Sequence, residues 1–284
     1  MGCDLMEPRQ ARDFLDPRLA DELTALVSRA CKAVMDIRSG AMTVRQKADA
    51  SPVTAADEAS EEIIAEGLSR LLPGLDVISE EAAAASAPRP VASAFALVDP
   101  LDGTREFIAG HDEFTINLAL IVEGRPVFGL VSAPSLQLIW CGKAGKGAER
   151  LRLTPGATPQ NARDRIEIRT TPPRGDRLRA LVSRSHLDER TAAWLRNRPG
   201  IATEPCGSAL KFCRVAEGAA DIYPRLAPTM EWDVAAGDAI LTAAGGAVLT
   251  PDGAPLTYGQ FARGLRIPDF IAWGRPPAMP NVSG

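Results

Sequence analysis

An apolar run that stops on two carboxylates constrains this chain more than any other feature. Residues 94–98 (AFALV) read as a buried strand, and they run directly into Asp99-Pro100-Leu101-Asp102-Gly103-Thr104. Pro100 fixes the backbone between the acids and offers no ladder hydrogen bond. Gly103 permits a turn, and Thr104 adds a hydroxyl. Two carboxylates three residues apart at a strand end can converge on one point, with the Leu101 carbonyl as a third oxygen. An all-oxygen set of this kind suits Mg²⁺ or Mn²⁺ better than zinc. Asp, Pro and Gly are also ordinary turn residues, so the segment alone reads equally well as a solvated surface turn.

Three further acidic segments shift that balance. Ser79-Glu80-Glu81 follows a short apolar strand at residues 77–78, and strand-end carboxylates can gather at one edge of a sheet. Asp49 lies in KADASPVTAAD (47–57), a loop entering a helix where Thr54 and Asp57 make a capping box. Asp233 follows Trp232 at an expected helix N-terminus, where the backbone dipole favours a carboxylate or a phosphate. Each has a plain structural explanation: Asp57 closes the cap, Glu80 and Glu81 are solvated, Asp233 meets the dipole. Their joint presence favours a metal centre over a turn.

Periodicity places these segments in a layered molecule. Leu19, Leu23, Leu26, Val27, Ala30, Cys31 and Val34 recur at helical spacing, which predicts an amphipathic helix over 17–37. A second helix begins near Thr54, carries Ile63, Ile64 and Leu68, and ends at Pro73-Gly74. Residues 83–90, rich in Ala, Ser and Pro, read as an exposed loop. Strands follow over 114–122, 126–132 and 136–141, the first two joined by a Glu123-Gly124-Arg125 hairpin turn. Residues 154–165 are rich in Pro, Thr, Asn and Gly. They read as the seam between an N-terminal α+β half (1–158) and a C-terminal α/β half (159–284). In the second half, strands at 179–183, 220–223, 247–250 and 270–273 alternate with helices at 187–195, 208–217 and 232–244. Such alternation predicts helices layered on sheets.

Composition closes off other classes. The 284-residue chain is 45% hydrophobic and 24% charged, an ordinary globular balance. Its formal net charge of −4 disfavours nucleic acid as a partner. A small anionic substrate stays open, because a local metal or Lys/Arg cluster outweighs net charge. No apolar run approaches the roughly 20 residues that cross a bilayer, so no integral membrane segment is expected. Residues 1–8 lack the basic and apolar regions of a signal peptide, and Met6 stands where a myristoylation motif wants Ser or Thr. The five cysteines (Cys3, Cys31, Cys141, Cys206 and Cys213) make an odd count with no CxxC. Neither a disulfide framework nor a zinc site is expected, and a reducing cytoplasm fits.

Residues 95–107 (FALVDPLDGTREF) resemble the first signature of the inositol monophosphatase superfamily, and residues 232–246 (WDVAAGDAILTAAGG) resemble the second. Both are long and stand in the expected order, accompanied by SEE at 79–81, and the likeness runs from the first helix to about Trp273. Within the superfamily the chain is most similar to the bacterial 3'(2'),5'-bisphosphate nucleotidases. The segments that carry this are KADASPVTAAD (47–57), SRSH (183–186), GSALKFCRVAEGAADIYPRLAPTMEWD (207–233) and FIAWG (270–274).

The resemblance implies a layered αβαβ sugar-phosphatase fold, α+β in its first half and α/β in its second, with the site between them. It implies a Mg²⁺-dependent phosphoric monoester hydrolase acting on a small phosphorylated nucleotide. Glu80, Asp99 and the Leu101 carbonyl would hold one ion; Asp99, Asp102 and Asp233 would hold the second; Asp57 would make a water-mediated contact. Two or three ions are compatible, with Mn²⁺ as a substitute and Li⁺ as an inhibitor. Asp49 and Thr104 pair to take the proton of the attacking water, and the Gly103 and Thr104 N–H groups face phosphate oxygens.

On the substrate side, Ser208, Lys211 and Arg225 are candidates for sugar or phosphate contacts, and His186 for the base. Lys211 reads equally as a solvated helix face, and a lone His186 is more often structural. The implied reaction converts adenosine 3',5'-bisphosphate (PAP) to AMP and phosphate, with PAPS as a further substrate, and links to sulfate assimilation. The alternatives are an inositol-phosphate or sugar-phosphate phosphatase with the same metal site and, more remotely, a non-catalytic nucleotide-binding regulator. Ala209 stands where a second serine is common, which bears on nucleotide selectivity; Arg105 replaces a common lysine and keeps its charge. A homodimer and peripheral association with the inner membrane are left open.

Overall fold

Residues 94–98 and 118–122 are apolar on both faces, and strands of that kind need cover on both sides. The computed structural model describes residues 10–40, 44–46, 52–85, 92–173, 177–185 and 187–276. Helix α1 (Pro17–Arg38) begins on Asp16, whose side chain accepts the Arg18 N–H at 2.8 Å, with Pro17 in the first turn. Strands β1 (Val44–Gln46) and β2 (Pro52–Thr54) pair antiparallel and lead into α2 (Ala55–Leu71). The capping box forms as read: Thr54 Oγ1 accepts the Ala56 N–H at 3.1 Å and Asp57 Oδ2 accepts the Thr54 N–H at 2.8 Å.

A seven-stranded sheet follows, in sequence order β3 (Asp76–Ser79), β4 (Ala94–Asp102), β5 (Thr115–Val122), β6 (Arg125–Ala133), β7 (Leu138–Lys143), β8 (Gly147–Arg152) and β9 (Asp164–Ile168). Its first pair is parallel and the rest are antiparallel. Short helices α3 (Glu80–Ala85) and α4 (Thr104–Ile108) begin where β3 and β4 end. The sheet reaches β9, past the start of the expected seam. The polar strands β8 and β9 at its far edge carry too little apolar alternation to be read from sequence.

The second half holds a five-stranded sheet ordered β11-β10-β12-β16-β14. Its members are β10 (Leu178–Ser183), β11 (Ile201–Cys206), β12 (Ile222–Arg225), β14 (Ala247–Leu249) and β16 (Phe270–Trp273). A small antiparallel pair, β13 (Thr229–Met230) and β15 (Arg266–Ile267), packs against α7 (Glu231–Ala243), which β13 leads into directly. Two shorter helices are α5 (Glu189–Arg196) and α6 (Leu210–Ala216). Helix α6 starts later than the expected 208, because Ser208 adopts a left-handed φ of 54°. Helix α5 starts later than 187 because Asp188 caps it, accepting the Thr191 N–H at 2.9 Å.

Alternation along each strand sorts the core into layers. Ala94, Ala96, Val98, Leu118 and Leu130 pack with α1 and α2. Phe95, Leu97, Ala119, Ile121 and Val131 face the other way, onto α6 and α7. On the far side of those helices Phe212 meets Phe270 and Tyr223 at centroid distances of 5.7 and 5.1 Å. The expected αβαβ layers are thus present. Helix α5 adds a further outer layer, with Leu195 and Trp194 on Val182, Ile222 and Ile271.

Helix α7 sits unusually close to the first sheet. A Cβ at Gly129 would lie 2.4 Å from the Ala236 carbonyl oxygen, and one at Gly142 would lie 2.4 Å from the Ile240 Cα. Glycine at these two positions therefore sets the depth, and with it the position of the α7 N-terminus, at the sheet edge where β3 and β4 end. Among the described residues no helix is long and apolar enough to cross a membrane.

Candidate metal centre and adjoining pocket

Strand register brings the first two acids together. Strands β3 and β4 run parallel with Ser79 opposite Val98, so the next residues, Glu80 and Asp99, leave the same edge side by side. Between Asp99 and Asp102 the β4–β5 register slips: Asp99 pairs with Asn117 and Asp102 with Thr115. This bulge inserts one residue at Pro100-Leu101, which makes no demand on a missing proline N–H. In a regular strand, acids three apart point to opposite faces. The extra residue returns both to the face covered by α7.

The third acid comes from α7. Asp233 stands in its first turn and its Oδ2 accepts the Met230 N–H at 3.0 Å and the Thr229 hydroxyl. One carboxylate oxygen each from Glu80, Asp99 and Asp233 lie within 4.8 Å of one another. Asp99 is 1% exposed, and its Oδ1 accepts the Leu101 N–H at 3.0 Å. Burial, then repulsion from Glu80, Asp102 and Asp233, pushes the Asp99 carboxyl well above the ordinary carboxylate range. Burial and Asp102 also raise Asp233, against the pull of Thr229 and Arg225. A set of hard oxygens that repel one another in this way fits a divalent cation of the Mg²⁺ type. The Leu101 carbonyl stands beside them, accepting the Thr104 hydroxyl at 3.1 Å.

Asp102 stands next to this trio and is tied to the second half of the chain. Its Oδ2 accepts the Ser208 hydroxyl at 2.6 Å and the Ala209 N–H at 2.8 Å. Asp57 combines the two readings made of it: besides capping α2, its Oδ1 lies 3.1 Å from Thr104 Oγ1. It is 2% exposed, and burial raises its carboxyl against the hydrogen bonds from Thr54 and Thr104.

A pocket of about 180 Å³ opens beside Asp102, Gly103 and Asp233, with Lys211, Tyr223 and Arg225 among its other lining residues. Lys211 is 2% exposed, so the solvated-face reading fails. Its ammonium donates to the carbonyls of Cys206 (3.2 Å) and Ser208 (2.6 Å) and lies 5.0 Å from the Tyr223 ring centroid. Arg225 makes long contacts of 3.4 Å to the Tyr223 hydroxyl and the Pro228 carbonyl, and its buried Nε has no partner. Ser208 lines the pocket, and its hydroxyl donates to Asp102. Asp49 and His186 lie outside the described residues.

Some site residues escaped the sequence. Glu106 is buried on the pocket wall and takes the Ser185 hydroxyl. Glu113 accepts from Arg184 Nε and Nη2, at 2.7 and 2.9 Å, and from the Gly207 N–H at 2.8 Å, locking the loop before α6 to the first half. No local pattern marks Glu113, because its partners come from 71 and 94 positions downstream. Thr229 was legible in principle, as a hydroxyl residue four positions before Asp233 at a helix start.

Comparison with known proteins gives one consistent result. The family described as the inositol monophosphatase family matches residues 16–267. The 3'(2'),5'-bisphosphate nucleotidase CysQ of Salmonella typhimurium is 40% identical over 242 residues, covering 84% of this chain and 94% of that protein. The protein of the same name from Buchnera aphidicola is 33% identical, over 87% of this chain and 89% of its own length. The crystal structure of CysQ from Bacteroides thetaiotaomicron superposes with a TM-score of 0.76 at 31% identity, covering 91% of this chain and 97% of that one.

Proposed function

This chain belongs to the inositol monophosphatase family, and on that premise we infer that it is a 3'(2'),5'-bisphosphate nucleotidase, converting PAP to AMP and phosphate. The observation that carries the chemistry is the carboxylate trio of Glu80, Asp99 and Asp233, gathered around the buried Asp99 beside a pocket that also holds Lys211 and Arg225. Acids alone would repel a phosphorylated substrate; acids that hold cations, next to basic side chains, would receive one.

We propose that Glu80, Asp99 and the Leu101 carbonyl hold one Mg²⁺, and Asp99, Asp102 and Asp233 a second. A third ion is compatible with Asp57 acting through water; Mn²⁺ would substitute and Li⁺ would inhibit. Bound Mg²⁺ supplies an acidified water and neutralises phosphate charge. The chain's own groups do the rest. The Thr104 hydroxyl has one proton, which it gives to Asp57 or to the Leu101 carbonyl, leaving a lone pair to accept a hydrogen of the attacking water. Asp49 is proposed as the carboxylate that takes the proton: the Thr104 hydroxyl would turn its own proton to Asp49 as it receives the one from water.

Gly103 and Thr104 N–H groups are proposed to meet the transferred phosphate. Arg225, with its unused Nε, and Lys211 are proposed to balance the second phosphate. His186 is proposed to meet the base. A cytoplasmic location is proposed too, in keeping with Cys31, Cys141, Cys206 and Cys213 as buried free thiols. The test is phosphate release from PAP and from inositol 1-phosphate, each with Mg²⁺ and with chelator. Mg²⁺-dependent release from PAP is expected. Brisk release from inositol 1-phosphate with none from PAP overturns the substrate.

A further inference from the structure

A row of buried polar groups beneath the pocket has more hydrogen-bond partners than protons unless the protons run one way. Thr115 is fully buried and Asn117 is 1% exposed; they lie opposite Asp102 and Asp99 on β5. Thr115 Oγ1 is 2.9 Å from the Asn117 side-chain oxygen and makes a short hydrogen bond with the Ser208 hydroxyl. Ser208 Oγ is 2.6 Å from Asp102 Oδ2, which also accepts the Ala209 N–H.

Each hydroxyl carries a single proton, and an ionised carboxylate carries none. Ser208 must therefore give its proton to Asp102, and Thr115 must give its own to Ser208. Thr115 then has only a lone pair for Asn117. With the amide oxygen turned toward Thr115, two lone pairs would face each other, and Asn117 Nδ2 would stay buried without a partner. Oxygen and nitrogen of an amide exchange by a half-turn that leaves the shape unchanged. After that turn Nδ2 donates to Thr115, and the position left unmet is a carbonyl oxygen, which tolerates this better than an N–H.

We infer that Asn117, Thr115 and Ser208 form a one-way donor relay, Asn117 Nδ2–H to Thr115 Oγ1–H to Ser208 Oγ–H to Asp102 Oδ2, that fixes the orientation of the Asp102 carboxylate. The relay crosses from the first sheet to the loop before α6. Ser208 holds its hydroxyl in place at a left-handed φ of 54°, a conformation uncommon outside glycine. The Glu113 contacts to Arg184 and to the Gly207 N–H pin the residue before it. Asn117, Thr115 and Ser208 are thus positioning residues. What Asp102 does once oriented rests on the metal-dependent reading above; the order of the donors does not.

The test uses full-length protein stripped of metal, Mn²⁺ as the probe, binding followed by calorimetry, and melting temperature as a control for folding. Thr115→Val and Ser208→Ala are expected to weaken Mn²⁺ binding roughly ten- to a hundredfold, as loss of a hydrogen bond behind a ligand does. In turnover of PAP, kcat should fall while KM changes little. Thr115→Ser should bind Mn²⁺ like wild type, because it restores the hydroxyl. If Thr115→Val does not fold, Ser208→Ala and Thr115→Ser carry the test. Wild-type affinity in Thr115→Val and Ser208→Ala overturns the relay while leaving the enzyme reading intact, as does a loss in Thr115→Val that Thr115→Ser does not rescue. A wild-type protein that neither binds Mn²⁺ nor releases phosphate from PAP overturns the metal-dependent reading, and the relay's role with it.

Discussion

Helix α7 carries three acids, and two of them, the buried Asp238 and the partly buried Asp233, keep different company. Asp238, in its middle, accepts the Tyr258 hydroxyl at 2.8 Å and the Thr242 hydroxyl at 3.0 Å. Asp233, in its first turn, also has a hydroxyl and a backbone donor, but it shares its space with Glu80 and Asp99. Burial raises both carboxyls. The difference is what else is near. An acid facing neutral donors is an anchor between helix and loop, whereas acids facing one another hold a charge that a cation relieves. Burial and a raised carboxyl therefore do not distinguish a site from a scaffold; the identity of the neighbours does.

The sharpest way to break this contrast is at Asp99. Asp99→Asn should lower Mg²⁺-dependent phosphate release by more than about a hundredfold, since even groups behind a ligand are worth that much. Its metal-free form should melt no lower than wild type, because a repelling charge is gone. Activity near wild type would remove Asp99 from the metal site.

The next effect belongs to the anchor. Burial pushes the Asp238 carboxyl up to about 6, above the unfolded value near 4. Protonation therefore favours the folded state. The stability it contributes is complete below about pH 4 and is lost as pH rises through about 6, on the order of 3 kcal/mol in all. Asp238→Asn should lack this slope, so denaturant titrations of the two proteins should diverge between those pH values. Parallel curves would show that Asp238 keeps its ordinary proton affinity.

Two smaller effects sharpen the comparison. Gly129→Ala should cost about 1–3 kcal/mol in denaturant unfolding, because its methyl would meet the α7 backbone. An unchanged midpoint would mean that α7 is not held at its depth by this glycine. Arg225→Gln should raise the KM for PAP about tenfold, the scale of one charge-assisted hydrogen bond, with a smaller effect on kcat. An unchanged KM would exclude Arg225 from substrate binding.

Much of this was legible because it is local. The α1 periodicity, the Thr54–Asp57 cap and the strand ending in Asp99 are decided by neighbours a few residues away, where side-chain spacing and backbone geometry are set by the chain itself. The starts of α5 and α6 were missed because single residues, Asp188 as a cap and Ser208 at positive φ, outweigh the apolar pattern. Lys211 was ambiguous for the same reason: a lysine on a short helix is ordinarily solvated, and only packing against Tyr223 and two carbonyls makes it a pocket wall.

The sequence by itself determined which acids are available and that they fall at strand ends and helix starts. Only the tertiary structure decided which of them meet. A parallel register puts Glu80 beside Asp99, a one-residue bulge turns Asp102 to the same face, and close glycine contacts seat α7 so that Asp233 completes the trio. The physical reason is reach: a carboxylate acts over a few ångströms, while Asp99 and Asp233 are separated by more than a hundred residues of chain that only packing brings back together.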